Sequence, residues 1–471
     1  MANGSMDAPV VGKLLPFVTD LRLNHLPAEV VHDLKLRILD TLGICFATHK
    51  QPYAQAVTDL VRSISAPGNA TVVAMPGGFA APGAAFANGV LSHGAEMDDC
   101  HIPSITHAGS TSLPAVLAVG EEVGASGSAC LEAAAIAYEL LPRVSFAVPG
   151  RFHDRGLQTT SMCAPLVNAL AAGKLMGLDR AQLVNAAGLA GALAGGLRTG
   201  NDDGSWTKRL FGGWAAQTGV IAAQLAGRGF TGPAQILEGR FGLFRAHLGD
   251  IEWNRSALTA GLGEVWETLK TSYRRYPCSF GLHATIECCL KLKAAHRVDP
   301  ARIAKVECRL PKPAARWWFE PEDEKRRPPT SYAAMFSIPY VAAAALVRGE
   351  ITVRSFGEDM LHDRDILATI DKAYWTPDEE TPFPGTMPGW VVLHMSDGAR
   401  LEARQIHEPG SPQNPIPEEE LFRKFEENAR GVLSRTAVDR LWARVMELDT
   451  APDVRDVLRE FRGNPRQRNA S

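Results

Sequence analysis

A chain of 471 residues is too long for one ordinary hydrophobic core, so two domains is the working number. Apolar residues make up 45% and charged residues 21% of a chain with a formal net charge of −3, which leaves no basic field for nucleic acid. Apolar runs are broken before the roughly 18–20 residues of a membrane span, and no secretion-signal pattern opens the chain, so it reads as cytoplasmic without a membrane partner.

Met1 to Ser5, ahead of a second methionine at Met6, read as an extension foreign to the fold. Residues 27–47, PAEVVHDLKLRILDTLGICFA, set Val30, Leu34, Ile38 and Leu42 at helical spacing behind Pro27, which suits a first helical turn. The stretch 78–230 is rich in Ala, Gly and Leu, with dense runs at 84–91, 129–141 and 166–176. Small side chains let helices approach closely, which predicts a compact, largely buried bundle. Composition changes after residue 260. The segment 305–310 (KVECRL) alternates as a half-buried strand does, and 390–395, Asp397-Gly398 and 401–403 read as a hairpin with its turn. Segments 284–295 and 331–347 keep helical character, and from Pro417 Leu421, Phe425, Val432 and Val438 recur among charges in an amphipathic pattern. The fold class is mainly α, with a smaller α+β unit near 265–405 and a C-terminal part that either returns to the first domain or stands apart. Eight cysteines lack CxxC or zinc spacing and read as reduced, mostly buried thiols; Cys100 and Cys278 are set apart by their neighbours.

Three segments carry chemistry. In Glu96-Met97-Asp98-Asp99-Cys100-His101 three acids crowd within four positions behind an apolar helix. Burying them together is costly unless they bind a cation, share protons or face solvent. His101 and His107 follow in a Pro- and Gly-containing loop, the kind that presents side chains to a cleft. Asp and His are metal ligands too, but no second cluster with metal spacing occurs, so no metal is assigned. The second segment, Gly200-Asn-Asp-Asp-Gly-Ser-Trp-Thr-Lys208-Arg209, delivers a Lys-Arg pair into a helix start, where anionic oxygens bind well. The third, Arg274-Arg275-Tyr276-Pro277-Cys278, holds two guanidinium groups in non-helical backbone ahead of a proline, suited to forked carboxylate binding.

Taken in order, these segments resemble the MmgE/PrpD family. The likeness runs from Leu39-Asp-Thr-Leu-Gly43 through Asn88-Gly and His107, Arg155-Gly156, the helix ending in Met176-Gly-Leu-Asp179, Trp206-Thr-Lys-Arg-Leu210 and Arg275-Tyr-Pro-Cys278 to Phe336-Ser-Ile-Pro-Tyr340. The resemblance implies a large all-helical domain built from both chain ends, 7–265 with 406–462, and a smaller α+β domain, 266–405; the Arg- and Asn-rich end, 463–471, reads by composition as a disordered tail. It also implies a homodimer, an interdomain active site without metal or organic cofactor, and a small carboxylate substrate. By position, His107 matches the family's catalytic histidine, Lys208 its carboxylate-binding lysine and Tyr340 its tyrosine near substrate. Asp98, Asp99, Gln158, Thr159, Arg209, Arg274 and Arg275 complete the expected binding set.

Five positions depart from the family pattern. Glu96 replaces a leading aspartate and Cys100 a threonine, which leaves both as candidate catalytic groups. Gln158 stands where a second catalytic histidine is usual, and a glutamine cannot carry a proton at neutral pH. Arg274 replaces a lysine, giving a better carboxylate fork and a poorer proton donor, and Phe211 replaces a histidine. Proton carriers are lost while anion-binding groups are kept. The expected activity is a cofactor-independent lyase, dehydrating or decarboxylating a di- or tricarboxylate through proton transfer beside a carboxylate. An epimerase using the same carbanion-like intermediate is the alternative, and a non-catalytic carboxylate-binding relative is a third.

Overall fold

The computed structural model describes residues 9–200, 204–381 and 386–463. Residues 1–5, the tail from 464 and Asn201, Asp202 and Asp203 of the glycine-rich turn lie outside the described residues. The chain divides into two compact units. The larger comprises residues up to Gly94, Asp98–Thr271 and Glu418 onward; the smaller comprises Ala95–Met97 and Ser272–Pro417.

The principal helices are α1 (Ala28–Thr48), α2 (Ala81–His93), α3 (Gly127–Phe146), α4 (Thr159–Leu175), α5 (Thr207–Gly227), α6 (His283–His296), α7 (Ile338–Arg348), α8 (Glu418–Ala429) and α9 (Arg435–Met446). The strands of the sheet are β1 (Ile303–Leu310), β2 (Ala373–Pro377), β3 (Gly389–Met395) and β4 (Arg400–Gln405).

In the larger unit α1 turns Val30, Leu34, Ile38 and Leu42 into the core, all at most 4% exposed. Helix α8, from the far end of the chain, packs on α1 through Phe425 against Gly43 and Phe46 and an ion pair of 2.7 Å between Lys424 and the buried Asp40. Both chain ends therefore build one helical body. Its Ala- and Gly-rich helices cross closely: a Cβ on Gly89 of α2 would stand 2.6 Å from the Cα of Gly213 on α5, so only glycine permits that approach. Helix α5, which carries Lys208 in its first turn, is thereby fixed against the helix that leads into the acidic segment.

The smaller unit is built on a four-stranded sheet in the order β2-β1-β3-β4. Strand β1 runs parallel to β2 and antiparallel to β3, and β3 and β4 form the expected hairpin, with Gly398 at φ +88° in its turn. Strand β2 has no counterpart in the sequence reading; it is short, ends in Pro377 and sits at the sheet edge, where a proline removes no ladder bond. The helix expected over 331–347 is two pieces, Ser331–Ala334 and α7. Ser337 breaks it by capping α7, its Oγ accepting the Tyr340 N–H at 3.1 Å, with Pro339 seated in the first turn.

No described helix is long and apolar enough to cross a membrane. All eight cysteines are buried and free.

Candidate active site

The acidic segment begins where α2 ends at His93, and the chain passes through two left-handed residues, Glu96 at φ +51° and Ile105 at φ +57°, before a short helix opens at Ala108. Neither residue is glycine, so the surrounding bonds must hold the backbone there at a cost of order 1 kcal/mol each. Those bonds divide into two sets, one in each unit.

In the larger unit, Asp98 and Asp99 are buried and extensively bonded. Asp98 Oδ2 accepts from Ser110 Oγ at 2.6 Å, lies 2.7 Å from His93 Nδ1 and stands 3.5 Å from His107 Nδ1. Asp99 accepts the Gly109 N–H at 2.9 Å on one oxygen, and the Arg37 guanidinium at 3.0 Å and the Tyr138 hydroxyl at 2.5 Å on the other. Its main-chain carbonyl lies 2.8 Å from His107 Nδ1. A carbonyl can only accept, so that contact puts a proton on Nδ1 and leaves Nε2 as the basic nitrogen of a neutral His107. The rings of His93 and His107 meet edge to face at 5.4 Å, both virtually buried. Asp98 thus sits between two imidazoles and stabilises a positive charge on either.

His101 is occupied elsewhere: its nitrogens meet Ser104 Oγ at 2.7 Å and Glu267 at 3.0 Å. Burial alone would raise the Glu267 carboxyl, but bonds from His101 and Lys270 hold it at about 2. Cys100 is buried as well. Gln158 caps α4 through its backbone, its N–H donating to the Gly196 carbonyl at 2.9 Å. Thr159 Oγ1 lies 2.6 Å from Nδ1 of His153. Lys208 is half-buried, whereas Arg209 is buried with its guanidinium 4.3 Å above the ring of Tyr53.

In the smaller unit, Glu96 accepts from Arg274 Nη1 at 2.9 Å and from the Tyr332 hydroxyl at 2.9 Å, all three at most 4% exposed. Arg275 points away to the half-exposed surface, bonded to Glu287 at 2.8 Å, and Glu287 also takes the Tyr276 hydroxyl. Cys278 is fully buried and its thiol is pushed far up by desolvation. Tyr340 is fully buried, its hydroxyl donating to the Ser355 carbonyl at 2.6 Å and its ring tilted against Phe356.

The structure therefore gathers Asp98, Asp99 and His107 into one network and Glu96 with Arg274 into another, while Arg209, Arg275 and Tyr340 are engaged in packing or ion pairs of their own. Several members were missed by sequence reasoning. Arg37 could have been found: it sits beside Ile38 on an otherwise apolar stripe of α1, and a buried guanidinium demands a buried acid. His93 lies at the helix end, five positions before Asp98, and Tyr332 within an uncharged run. Outside both networks, His153 precedes the Arg155-Gly156 motif and meets Thr159. Burial, and then the positive charges of Arg198, His107 and Lys208, push its pKa down to about 3. Among the described residues no group of three or more His, Cys, Asp or Glu is arranged to hold a metal ion; the acids bond instead to Arg37, Arg274, Tyr138 and Tyr332.

Known proteins share this chain's length and order. It is 26% identical to the cis-aconitate decarboxylase-like protein oryM of Aspergillus oryzae (strain ATCC 42149 / RIB 40), with 97% of this chain and 98% of that protein covered. It is 24% identical to the cis-aconitate decarboxylase of Aspergillus terreus over 97% of this chain and 96% of the relative. The cis-aconitate decarboxylase of Homo sapiens is 28% identical, with 92% and 90% covered. The MmgE/PrpD N-terminal domain matches residues 12–256, which hold the His107 network and Lys208, and the MmgE/PrpD C-terminal domain matches 276–450. With both halves matched in order, the chain belongs to the MmgE/PrpD family.

Proposed function

We propose that this protein is a lyase that removes CO₂ from a small unsaturated di- or tricarboxylate, working without a metal or organic cofactor. The observation that carries the reading is the setting of His107: a buried imidazole with Nδ1 held on the Asp99 carbonyl at 2.8 Å, which makes Nε2 the basic nitrogen, and with Asp98 3.5 Å away to stabilise the imidazolium. The full-length similarity to proteins named cis-aconitate decarboxylase supports decarboxylation among the outcomes open to such a base.

Loss of CO₂ breaks the carbon–carbon bond to one carboxylate and leaves its electron pair on a carbon that must be protonated. In an unsaturated polycarboxylate that pair spreads over the double bond toward a second carboxylate, so the protein's task is to hold positive charge there. Lys208, in the first turn of α5, is the proposed group for this, helped by the positive end of the helix dipole. His107 as imidazolium then delivers the proton from Nε2 and is recharged from solvent. Glu96, Cys100, Gln158, Thr159, Arg209, Arg274 and Arg275 stand as proposed supporting residues. Tyr340 is assigned a packing role, because its hydroxyl is already bonded to Ser355.

The protein is further proposed to act as a homodimer in a reducing cytoplasm. Trp206, just ahead of α5, and Leu210, Trp214 and Ile221 along it recur at helical spacing and are 37–49% exposed, an apolar stripe that a second copy would cover. Eight free thiols suit a reducing compartment.

Proton NMR in D₂O with cis-aconitate tests the activity. The expected result is loss of CO₂ with deuterium incorporated at one carbon, abolished by His107→Gln. Water elimination from citrate or 2-methylcitrate would mark a dehydratase, exchange without net change an epimerase, and neither turnover nor exchange with any of them would sink the lyase reading.

A further inference from the structure

We propose that His153 is a further substrate-binding residue, whose imidazole, held by Thr159, donates a hydrogen bond from Nε2 to an anionic oxygen of the carboxylate substrate. This rests on the carboxylate reading above and adds to it a residue at a position the family resemblance does not mark. The start of α4, which holds His153, meets the chain that leads to His107: Thr160 Oγ1 donates to the Ile105 carbonyl at 3.4 Å. Gly156 and Gly150 both have positive φ, so the four-residue helix Arg151–Asp154 is a tight turn folded against the start of α4. The Gln158 N–H bonds to the Gly196 carbonyl and the Arg198 N–H to the Gly156 carbonyl, which tie this turn to the chain that precedes α5. Thr159, next to Gln158, then reaches His153 Nδ1 at 2.6 Å.

The donor assignment follows from hydrogen-bond accounting. Among the described residues the Thr159 hydroxyl makes that one bond. If the hydroxyl donates to Nδ1, its hydrogen and the Nδ1 lone pair are both satisfied, and the ring proton resides on Nε2. The reverse arrangement leaves the hydroxyl hydrogen without an acceptor. The electrostatic surroundings keep the ring neutral: burial, Arg198, His107 and Lys208 all oppose a second proton, and together bring its pKa to about 3. Arg151, Asp154 and Arg155 are the charged residues on its own turn and immediately after it. A neutral imidazole with a fixed N–H is a hydrogen-bond donor at every working pH. It binds an anion without becoming a competing acid, which complements Gln158, also a donor that cannot titrate.

The test measures binding of tricarballylate, a saturated tricarboxylate with no double bond or hydroxyl to react, by calorimetry, alongside turnover of cis-aconitate. His153→Phe is expected to weaken tricarballylate about 10-fold to 100-fold, the range for a hydrogen bond to a charged group. His153→Gln, whose amide N–H replaces Nε2–H, should recover most of that loss and leave the pH profile of kcat/KM between pH 5 and 8 with its wild-type shape. Thr159→Val should weaken binding by about threefold to tenfold by freeing the ring, and serves if His153→Phe proves misfolded by circular dichroism. Wild-type affinity in His153→Phe or Thr159→Val would overturn the proposal. So would a His153→Gln variant as damaged as His153→Phe or lacking one limb of the pH profile, since either means the residue carries a proton. Lys208→Ala separates the two levels: if it binds tricarballylate as wild type does, the carboxylate reading itself fails, whereas loss in Lys208→Ala without loss in His153→Phe removes only the role of His153.

Discussion

Asp98 and Glu96 are two residues apart, yet they belong to different units and lead different chemical lives. Asp98 is surrounded by groups that move protons: two imidazoles and a hydroxyl, with His93 Nδ1 at 2.7 Å and His107 Nδ1 at 3.5 Å. Glu96 is surrounded by groups whose charge is fixed at neutral pH, the guanidinium of Arg274 and the phenol of Tyr332. Both carboxylates are about 1% exposed, so burial is not what separates them. The partners are. A buried acid beside histidines can stabilise a charge that comes and goes, whereas a buried acid beside arginine forms a permanent pair, worth little in net stability but costly to break. The first network is suited to catalysis and the second to holding a left-handed backbone turn in place.

That contrast predicts opposite consequences for the two networks. The largest effect is expected at His107. His107→Gln should lower kcat for whichever carboxylate is turned over by roughly 10²- to 10⁴-fold while leaving the denaturation midpoint nearly unchanged. A comparable loss of stability would mean that the ring is structural. Arg274→Ala should do the reverse. It strands Glu96 in a dry site, and urea denaturation should show about 3–5 kcal/mol of lost stability. An Arg274→Ala protein of wild-type stability would show that the pair is not buried in solution.

Much of this was legible in the sequence, and the rest was hidden for identifiable reasons. Helix α1 followed from the spacing of Val30, Leu34, Ile38 and Leu42, and the β3–β4 hairpin from Asp397-Gly398, because local periodicity and turn chemistry decide both. His107 was marked by its place behind the acids. Arg37 and Tyr138 lie 62 and 39 positions from Asp99, the acid they bond, and no local pattern reports a contact of that range. The link between His153 and Thr159 depends on a turn that only the fold defines, so no local pattern reports it. Strand β2 was missed since a parallel partner far along the chain, not its own five residues, makes it a strand.

A third buried carboxylate sharpens the comparison at smaller scale. Glu121 accepts from the Thr71 backbone N–H at 2.5 Å and hydroxyl at 2.6 Å, while its nearest cation, Arg462, stands 3.7 Å off. Burial dominates and raises its pKa to about 7, with the Thr71 bonds and Arg462 pulling the other way. The native state thus holds a proton that the unfolded chain, with an ordinary glutamate, releases near pH 4.5. Unfolding releases that proton between the two values, so stability is full below pH 4.5 and is lost as pH rises through 7. Glu121→Gln should remove this dependence. Its stability, compared with wild type in urea at pH 5 and pH 8, should differ by about 2–3 kcal/mol in its pH response. Parallel curves would show that the carboxylate is ionised in the folded protein throughout.

The smallest expected effect separates two tyrosines of the smaller unit. The family resemblance puts Tyr340 near substrate, yet its hydroxyl donates to the Ser355 carbonyl, and desolvation drives its pKa far above the usual tyrosine value. Tyr332, absent from the sequence reading, donates to Glu96 and so belongs to the cluster that fixes the left-handed turn. Removing either hydroxyl deletes one buried hydrogen bond, a loss of about 1 kcal/mol in each case. Stability therefore cannot tell the two apart, but kinetics can. Tyr340→Phe should keep kcat/KM within a small factor of wild type, because the bond it loses is internal to the core. Tyr332→Phe should lower kcat/KM more than its stability loss explains, since Glu96 is only two residues from Asp98 and a looser turn displaces the His107 network. If the kinetic penalties fall the other way round, Tyr340 leaves Ser355 to meet the substrate, and the division drawn here between a proton-moving network and a fixed-charge one must be redrawn to include it.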